Sequence, residues 1–167
     1  MKCLTNTAVI KLICCCLLAL PLRHLQVTSA YGYRVHPVTG RLAFHAGIDL
    51  RARSDTVFAV FPGLVSSAGY DQYLGIYIRV RQNDLECTFG HLSQLLALPG
   101  DSVLASGALG ITGSTGRVTG EHLHFSVRYR GRNINPLEFL LKIQLQIYQQ
   151  KETDYESIQT PVRSGRR

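Results

Sequence analysis

Two stretches of the chain place chemically useful side chains at short intervals. In GEHLHF (120–125), His122 and His124 are separated by one residue, and in FHAGIDL (44–50), His45 and Asp49 are four apart. On a strand, residues two apart project from the same face. His122 and His124 would then stand side by side, their Cα atoms about 6.5–7 Å apart, with Leu123 on the opposite face. Both imidazoles could reach one metal ion, or one could bind while the other stands beside a metal-bound water. The spacing does not choose between these, and a half-exposed strand with two outward polar residues carries the same pattern. His45 and Asp49 would lie about 13 Å apart on an extended chain, too far for one ion. The segment must curl, and Gly47 between them is the residue that permits it.

Together the two stretches supply His, Asp and His. Three protein ligands with an open position describe a catalytic zinc rather than a closed structural one. Such a zinc lowers the pKa of a bound water toward 7 and polarises a substrate carbonyl. Peptide hydrolysis then needs a group to take the water's proton and donors for the oxyanion. His91 and the spare histidine of HLH are the candidates.

The elements that must position these residues read as short strands and turns from Leu25 to about Leu140. The clearest strands are TVFAVF (56–61), GLVSSAG (63–69), GIYIRVR (75–81), LECTFG (85–90) and HLHFSVRYR (122–130), punctuated by glycines and by PGD and NP turns. A spacing of about ten residues per strand predicts a sandwich or barrel-like sheet. GITGSTGRVTGE (110–121) reads as a loop leading into the HLH strand. After Pro136 the period becomes helical, with Leu137, Leu140, Leu141, Leu145 and Tyr148 as its apolar positions. Residues 151–167 are polar and read as a disordered tail.

The chain has 167 residues, 46% of them apolar, enough for one domain with a sizeable core. Fifteen glycines, no tryptophan and one methionine accompany a net charge of +7. That balance suits an anionic partner: nucleic acid, a membrane surface or an anionic wall polymer. No basic recognition helix, aromatic RNA-binding pattern or Cys/His finger spacing is present, which argues against nucleic acid. Lys2 and Lys11 precede or flank an uncharged run, LICCCLLALPL (12–22), too short to span a bilayer comfortably but of the size of an export-signal core. Residues 1–22 are therefore expected to be a signal peptide or an N-terminal membrane anchor, with a cut near Ala19 as one option. Cys3, Cys14, Cys15 and Cys16 lie in this leader. Cys87 alone remains beyond it, so there is no disulfide framework and no CxxC knuckle.

The residues quoted above carry a resemblance. The chain resembles the M23 family of zinc metallopeptidases, the lysostaphin/LytM-like group, from about Val27 to Leu140. The matching stretches are VTSAYGYRVHPVTG (27–40), FHAGIDLRA (44–52), FGHLS (89–93), PGDSVLASGALGITGSTGRVTGEHLHFSV (99–127) and INPLEFL (134–140). The resemblance implies a mainly β fold, an antiparallel sheet of barrel-sandwich type with a short C-terminal helix. It implies one zinc held by His45, Asp49 and His124, with His91 and His122 as the catalytic histidines beside the water, one as general base and the other orienting water or stabilising the oxyanion. It makes VTSAYGYR a first strand, so that a cut after Ala30 would remove part of the domain, and leaves His36 structural or at the groove edge. His24 gets no role. Two positions depart from the family pattern: Phe89 stands where a tyrosine is frequent, and Ile76 where an asparagine is.

The expected layout is a leader (1–22), a peptidase domain (23–141) and a helix end with tail (142–167). The expected function is hydrolysis of peptide bonds in peptidoglycan, cross-links or bridges, by an exported enzyme of the periplasm or cell envelope. A monomer is expected, in a role such as local wall remodelling or opening the wall for an envelope-spanning apparatus. The alternative is a LytM-like regulator that has lost catalysis and activates other wall hydrolases. Such relatives typically lack a ligand or a catalytic histidine, whereas all five positions are filled here. A carrier domain would need a lysine at a hairpin tip, which GSTG (113–116) does not offer. A cysteine peptidase would need Cys87 and His91 within hydrogen-bond reach, and a strand holds them about 13 Å apart.

Overall fold

The computed structural model describes residues 18–35 and 40–159, the last ten by backbone alone. The leader through residue 17 with its four cysteines, His36 and residues 160–167 lie outside the described residues. Twelve strands and one helix are described. β1 (Val27–Ser29), β4 (Ile48–Arg51), β11 (His122–Tyr129), β8 (Leu85–Leu95), β7 (Gly75–Gln82), β6 (Gly63–Asp71) and β9 (Ser102–Val103) lie side by side in that order, and every pairing is antiparallel. β10 (Ala108–Thr112) bridges β8 and β5 (Thr56–Phe58), and β12 (Arg132–Ile134) pairs with β11. β2 (Gly32–Val35) and β3 (Leu42–His45) form a separate hairpin. The antiparallel sheet with a C-terminal helix is the fold class expected from the sequence.

Alternation decides which side chains meet. On β11, Leu123, Phe125 and Val127 are fully buried while His122, His124 and Ser126 take the other face. On β4, Ile48 and Leu50 go inward and Asp49 and Arg51 outward. The inward set joins Val57, Ile78, Val80, Cys87, Phe89 and Leu92 in one core. At roughly 25 cal/mol per Å² of apolar surface removed from water, each fully buried Leu, Ile or Phe contributes about 1.5–3 kcal/mol. That burial is what pins the strand register, because a slip of one residue would turn the histidines into the core.

Four expectations change. VTSAYGYR is not one strand: β1 pairs with β4 and β2 with β3, and the chain turns between them at Tyr31. Residues 110–112, expected in a loop, close β10, because a side chain on Gly110 would meet the Gln94 carbonyl oxygen at 2.6 Å and only glycine lets these strands approach. The helix α1 (Pro136–Gln159) forms, but its buried stripe is Phe139, Leu140 and Ile143, while Leu141, Leu145 and Tyr148 are exposed. Its start is capped as the NP dipeptide suggests. Asn135 Oδ1 accepts from the Leu137 amide at 3.1 Å, with Pro136 at the first helical position. α1 also runs on to Gln159, past the expected start of a disordered tail at 151, and KETDYESIQ holds no glycine or proline to stop a helix already nucleated.

At the other end, the Ala19 amide donates to the Val60 carbonyl at 2.9 Å, the Phe58 amide donates to the Pro21 carbonyl at 3.0 Å, and Leu22 is buried in the core. Among the described residues no helix is long and apolar enough to cross a membrane.

Candidate metal centre

β4 lies between β1 and β11, and the register sets Asp49 directly opposite His124 and Arg51 opposite His122. On the other side of β11, His124 faces Gly90 of β8, which places His91 beside the same spot. His45 ends β3 and reaches over from the hairpin. The five residues singled out in the sequence (His45, Asp49, His91, His122 and His124) therefore line one open cavity with Arg34, Tyr73, Leu74 and Arg117. His24 lies in a different groove.

Three donor atoms converge. Asp49 Oδ1 is 3.0 Å from His124 Nδ1 and 3.2 Å from His45 Nε2, and the two ring nitrogens are 3.2 Å apart. Donors held tetrahedrally at the usual zinc distances would be about 3.3 Å apart. Tautomers support the fit. A carbonyl can only accept, so the His45 Nδ1–H that faces the Ala30 carbonyl at 2.9 Å donates to it, and the Nε2 lone pair of the neutral ring turns to the cluster. Two imidazoles and a carboxylate whose lone pairs meet at one point suit zinc. His122 Nε2 stands farther off, 3.6 Å from Asp49 Oδ1. Among the described residues, His45, Asp49 and His124 form the group of potential metal donors this close together.

His91 and His122 share another trait. His91 Nδ1–H donates to the Thr115 carbonyl at 2.9 Å and His122 Nδ1–H to the Gly120 carbonyl at 2.8 Å, so in the neutral rings each Nε2 is left as an acceptor. Their ring centroids are 4.6 Å apart. His91 is held in a left-handed conformation (φ 61°), and its amide donates to the Leu74 carbonyl at 2.7 Å. Residues other than glycine keep such a conformation only where the surroundings enforce it. Thr115 supplies that enforcement: its hydroxyl donates to the Leu92 carbonyl at 2.6 Å and accepts the Ile76 amide at 2.9 Å, tying the 113–119 loop to β7 and β8.

Burial pushes His91 down to about 4, so the ring is neutral near pH 7. Burial likewise lowers His124 against the pull of Asp49. For Asp49, burial raises the carboxyl, but hydrogen bonds and charge from His124 and His45 outweigh it and hold the group well below the usual carboxylate range. The outer oxygen, Oδ2, faces Arg34 Nη2 at 3.5 Å.

The sequence argument for Gly47 needs correction. Its φ is not among the positive values of the chain, so a left-handed curl is not what requires glycine. A Cβ there would meet His124 Cε1 at 2.6 Å, His124 Nε2 at 2.7 Å and the Phe125 carbonyl oxygen at 2.7 Å. Gly47→Ala is thus expected to displace the His124 ring, lowering stability by about 1–3 kcal/mol and weakening metal retention. Thermal unfolding and metal content measured on the same sample check both effects.

Of the two departures, Ile76 gives its backbone amide to the Thr115 hydroxyl at 2.9 Å, and Phe89 points into the core. Phe89 is fully buried against Phe125, ring centroids 5.3 Å apart, so a hydroxyl absent from its ring is absent from the core. Cys87 is fully buried on the inward face of β8, and burial, with the Glu86 charge, pushes its thiol well above the ordinary range. Cys87→Ala is expected to leave hydrolysis intact and to cost about 1 kcal/mol of stability; loss of activity in a folded sample would point to thiol chemistry instead.

Sequence reasoning missed Arg34, which arrives from the β2–β3 hairpin with no local signal. It also missed the carbonyls of Ala30, Thr115 and Gly120, which any residue type could provide. Arg51 was detectable, because it stands two residues after Asp49 on a strand and so shares its face.

Comparison with known proteins bears on the whole arrangement. The model of "Peptidase family M23" matches residues 43–136. The DD-carboxypeptidase/endopeptidase Mpg of Neisseria meningitidis is 35% identical over 123 residues, covering 72% of this chain and 28% of that protein. The peptidoglycan DD-endopeptidase ShyC of Vibrio cholerae is 36% identical over 119 residues, covering 70% of this chain and 28% of that protein. This chain thus spans little more than a quarter of the length of either relative. Among solved structures, a zinc-containing peptidase from Vibrio cholerae superimposes with a TM-score of 0.63 at 32% identity, over 71% of this chain and 37% of that one.

Proposed function

The chain belongs to peptidase family M23, and from that premise we propose that it is a zinc-dependent endopeptidase that hydrolyses peptide bonds in peptidoglycan. The observation that carries this reading is the meeting of His45 Nε2, Asp49 Oδ1 and His124 Nδ1 within 3.2 Å of one another, open to a cavity that two further histidines face. The substrate class is taken from the name of ShyC, a peptidoglycan DD-endopeptidase.

In this account His45, Asp49 and His124 are the ligands, and His91 and His122 are the catalytic residues. Zinc bound there would lower the pKa of a water toward 7 and polarise the scissile carbonyl. The remaining chemistry falls to the chain. With Nδ1–H already given to a backbone carbonyl, a neutral His91 or His122 has only its Nε2 lone pair to offer, so each can accept a proton but not donate one. The ring that accepts the proton of the attacking water becomes an imidazolium. It can then return that proton to the departing amine nitrogen as the C–N bond breaks. Arg34, on the outer oxygen of Asp49, keeps the carboxylate turned so that Oδ1 faces His45 and His124.

A peptidoglycan substrate would put the work in the periplasm or cell envelope. The peptidase domain is proposed to begin by Leu18, since the following residues hydrogen-bond into the core, which leaves the stretch before it as the export signal or anchor. The test is digestion of purified peptidoglycan by the zinc-loaded protein, with the new peptide termini identified by mass spectrometry. New termini at one defined amide bond are the expected result. Intact peptidoglycan, after incubation with folded protein holding one zinc, would favour the regulator reading.

A further inference from the structure

The uncharged run LICCCLLALPL (12–22) and the folded domain claim the same residues. The run holds eleven residues between Lys11 and Arg23. Its last five, LALPL (18–22), belong to the fold. Phe58 of β5 donates its amide to the Pro21 carbonyl at 3.0 Å, whereas the next residue, Ala59, donates to the Gly107 carbonyl at 2.9 Å. Neighbouring residues of a strand bond to opposite sides, so β5 has β10 on one edge and 18–22 on the other. The Ala19 amide completes that second edge by donating to the Val60 carbonyl at 2.9 Å. Pro21 suits the position, since it has a carbonyl to give and no N–H to leave unpaired. Leu22 is 2% exposed, Leu18 and Leu20 pack against the same core, and Ile147 of α1 lines the cavity beside them.

An export signal or an anchor needs what the fold has taken. The apolar core of an export signal runs to about 7–15 residues, and a spanning helix to about 20. With LALPL on β5, the six residues of LICCCL (12–17) are what remains of the run ahead of the domain, fewer than either requires. With all eleven residues in an apolar phase, the Phe58 amide and the Val60 carbonyl lose their partners. β5 then presents a bare edge, with unpaired backbone groups beside an emptied apolar site.

We propose that LALPL (18–22) is held either by the membrane or by β5 but not by both, so that the domain is completed only when these residues leave the apolar phase. The inference rests on the reading of the leader as an export signal or anchor, and it is independent of which bond the enzyme cuts. It also bears on processing. A cut after Ala19 would remove the amide that bonds to Val60, so a cut that leaves the domain whole falls ahead of Leu18.

The test is amide hydrogen exchange, resolved to single residues, on the full chain in buffer and bound to vesicles of phosphatidylcholine. That lipid has no net charge, so the basic surface of the protein adds nothing to the binding. In buffer the Phe58 amide is expected to be protected. On the vesicles it should exchange at least about tenfold faster, while the amides of β11 keep their rates. Two substitutions should pull the balance in opposite directions. Ile13→Arg, which breaks the run outside the docked residues, should lose vesicle binding and keep Phe58 protected with vesicles present. Leu22→Ser should speed Phe58 exchange by about tenfold or more in buffer alone. A vesicle-bound chain whose Phe58 amide stays as slow as in buffer would overturn the proposal and leave the anchor reading standing. A chain that does not bind the vesicles would remove both. Unchanged Phe58 exchange in Leu22→Ser would show that LALPL does not hold the edge of β5, and the proposal would fail on that ground.

Discussion

His124→Ala is expected to lose its metal and its hydrolytic activity together. His124 Nδ1 is 3.0 Å from Asp49 Oδ1 and 3.2 Å from His45 Nε2, so it forms one corner of the donor triangle. Removing a partner that merely supports a ligand commonly costs 10–100-fold in metal affinity, and removing a ligand should cost more than about 100-fold. Asp49→Ala and His45→Ala should behave alike, since each deletes another corner. The domain should nevertheless stay folded, because its stability rests on the inward faces of β4, β8 and β11, which these substitutions leave untouched. Metal content after dialysis, read beside circular dichroism, separates loss of the ion from loss of the fold.

The second large effect dissociates what the first joins. His91→Ala or His122→Ala is expected to keep one zinc and to lower the hydrolytic rate by about 10²–10⁴-fold, the usual worth of a positioned general acid or base. Both rings present Nε2 to the cavity and anchor Nδ1–H on a carbonyl, and neither belongs to the donor triangle. The HLH pair makes the comparison sharp. Two histidines on one strand face, with opposite neighbours Arg51 and Asp49, should give opposite metal contents when replaced. If His122→Ala empties the site and His124→Ala does not, the assignment within the pair is reversed.

What could be read from the sequence depended on how local the cause was. The strand carrying HLH and the outward direction of both histidines follow from a period of two that the inward Leu123, Phe125 and Val127 enforce. The segments around His45, Asp49 and His91 could be named because each carries its own short pattern. Their convergence could not be derived from spacing. It comes from β4 and β8 flanking β11, a set of long-range pairings that the resemblance to a known family implied. The reason for Gly47 was misjudged because its neighbour, the His124 ring, is distant in sequence. The strand at 110–112 was missed for the same reason. Its glycine is there for the Gln94 backbone, and composition alone makes such a stretch look like a loop. On α1 the helical period was legible, but the choice between the stripe through Phe139 and Ile143 and the one through Leu141 and Leu145 belongs to the sheet it packs on.

The most direct measurement is release of new peptide termini from purified peptidoglycan by protein first stripped of metal with a chelator, then given one equivalent of zinc. The account predicts no release from the stripped protein and restored release after zinc. It also predicts that Asp49→Ala stays inactive in both states. Equal cleavage with and without metal, or a folded protein that binds one zinc and cuts nothing, would contradict it.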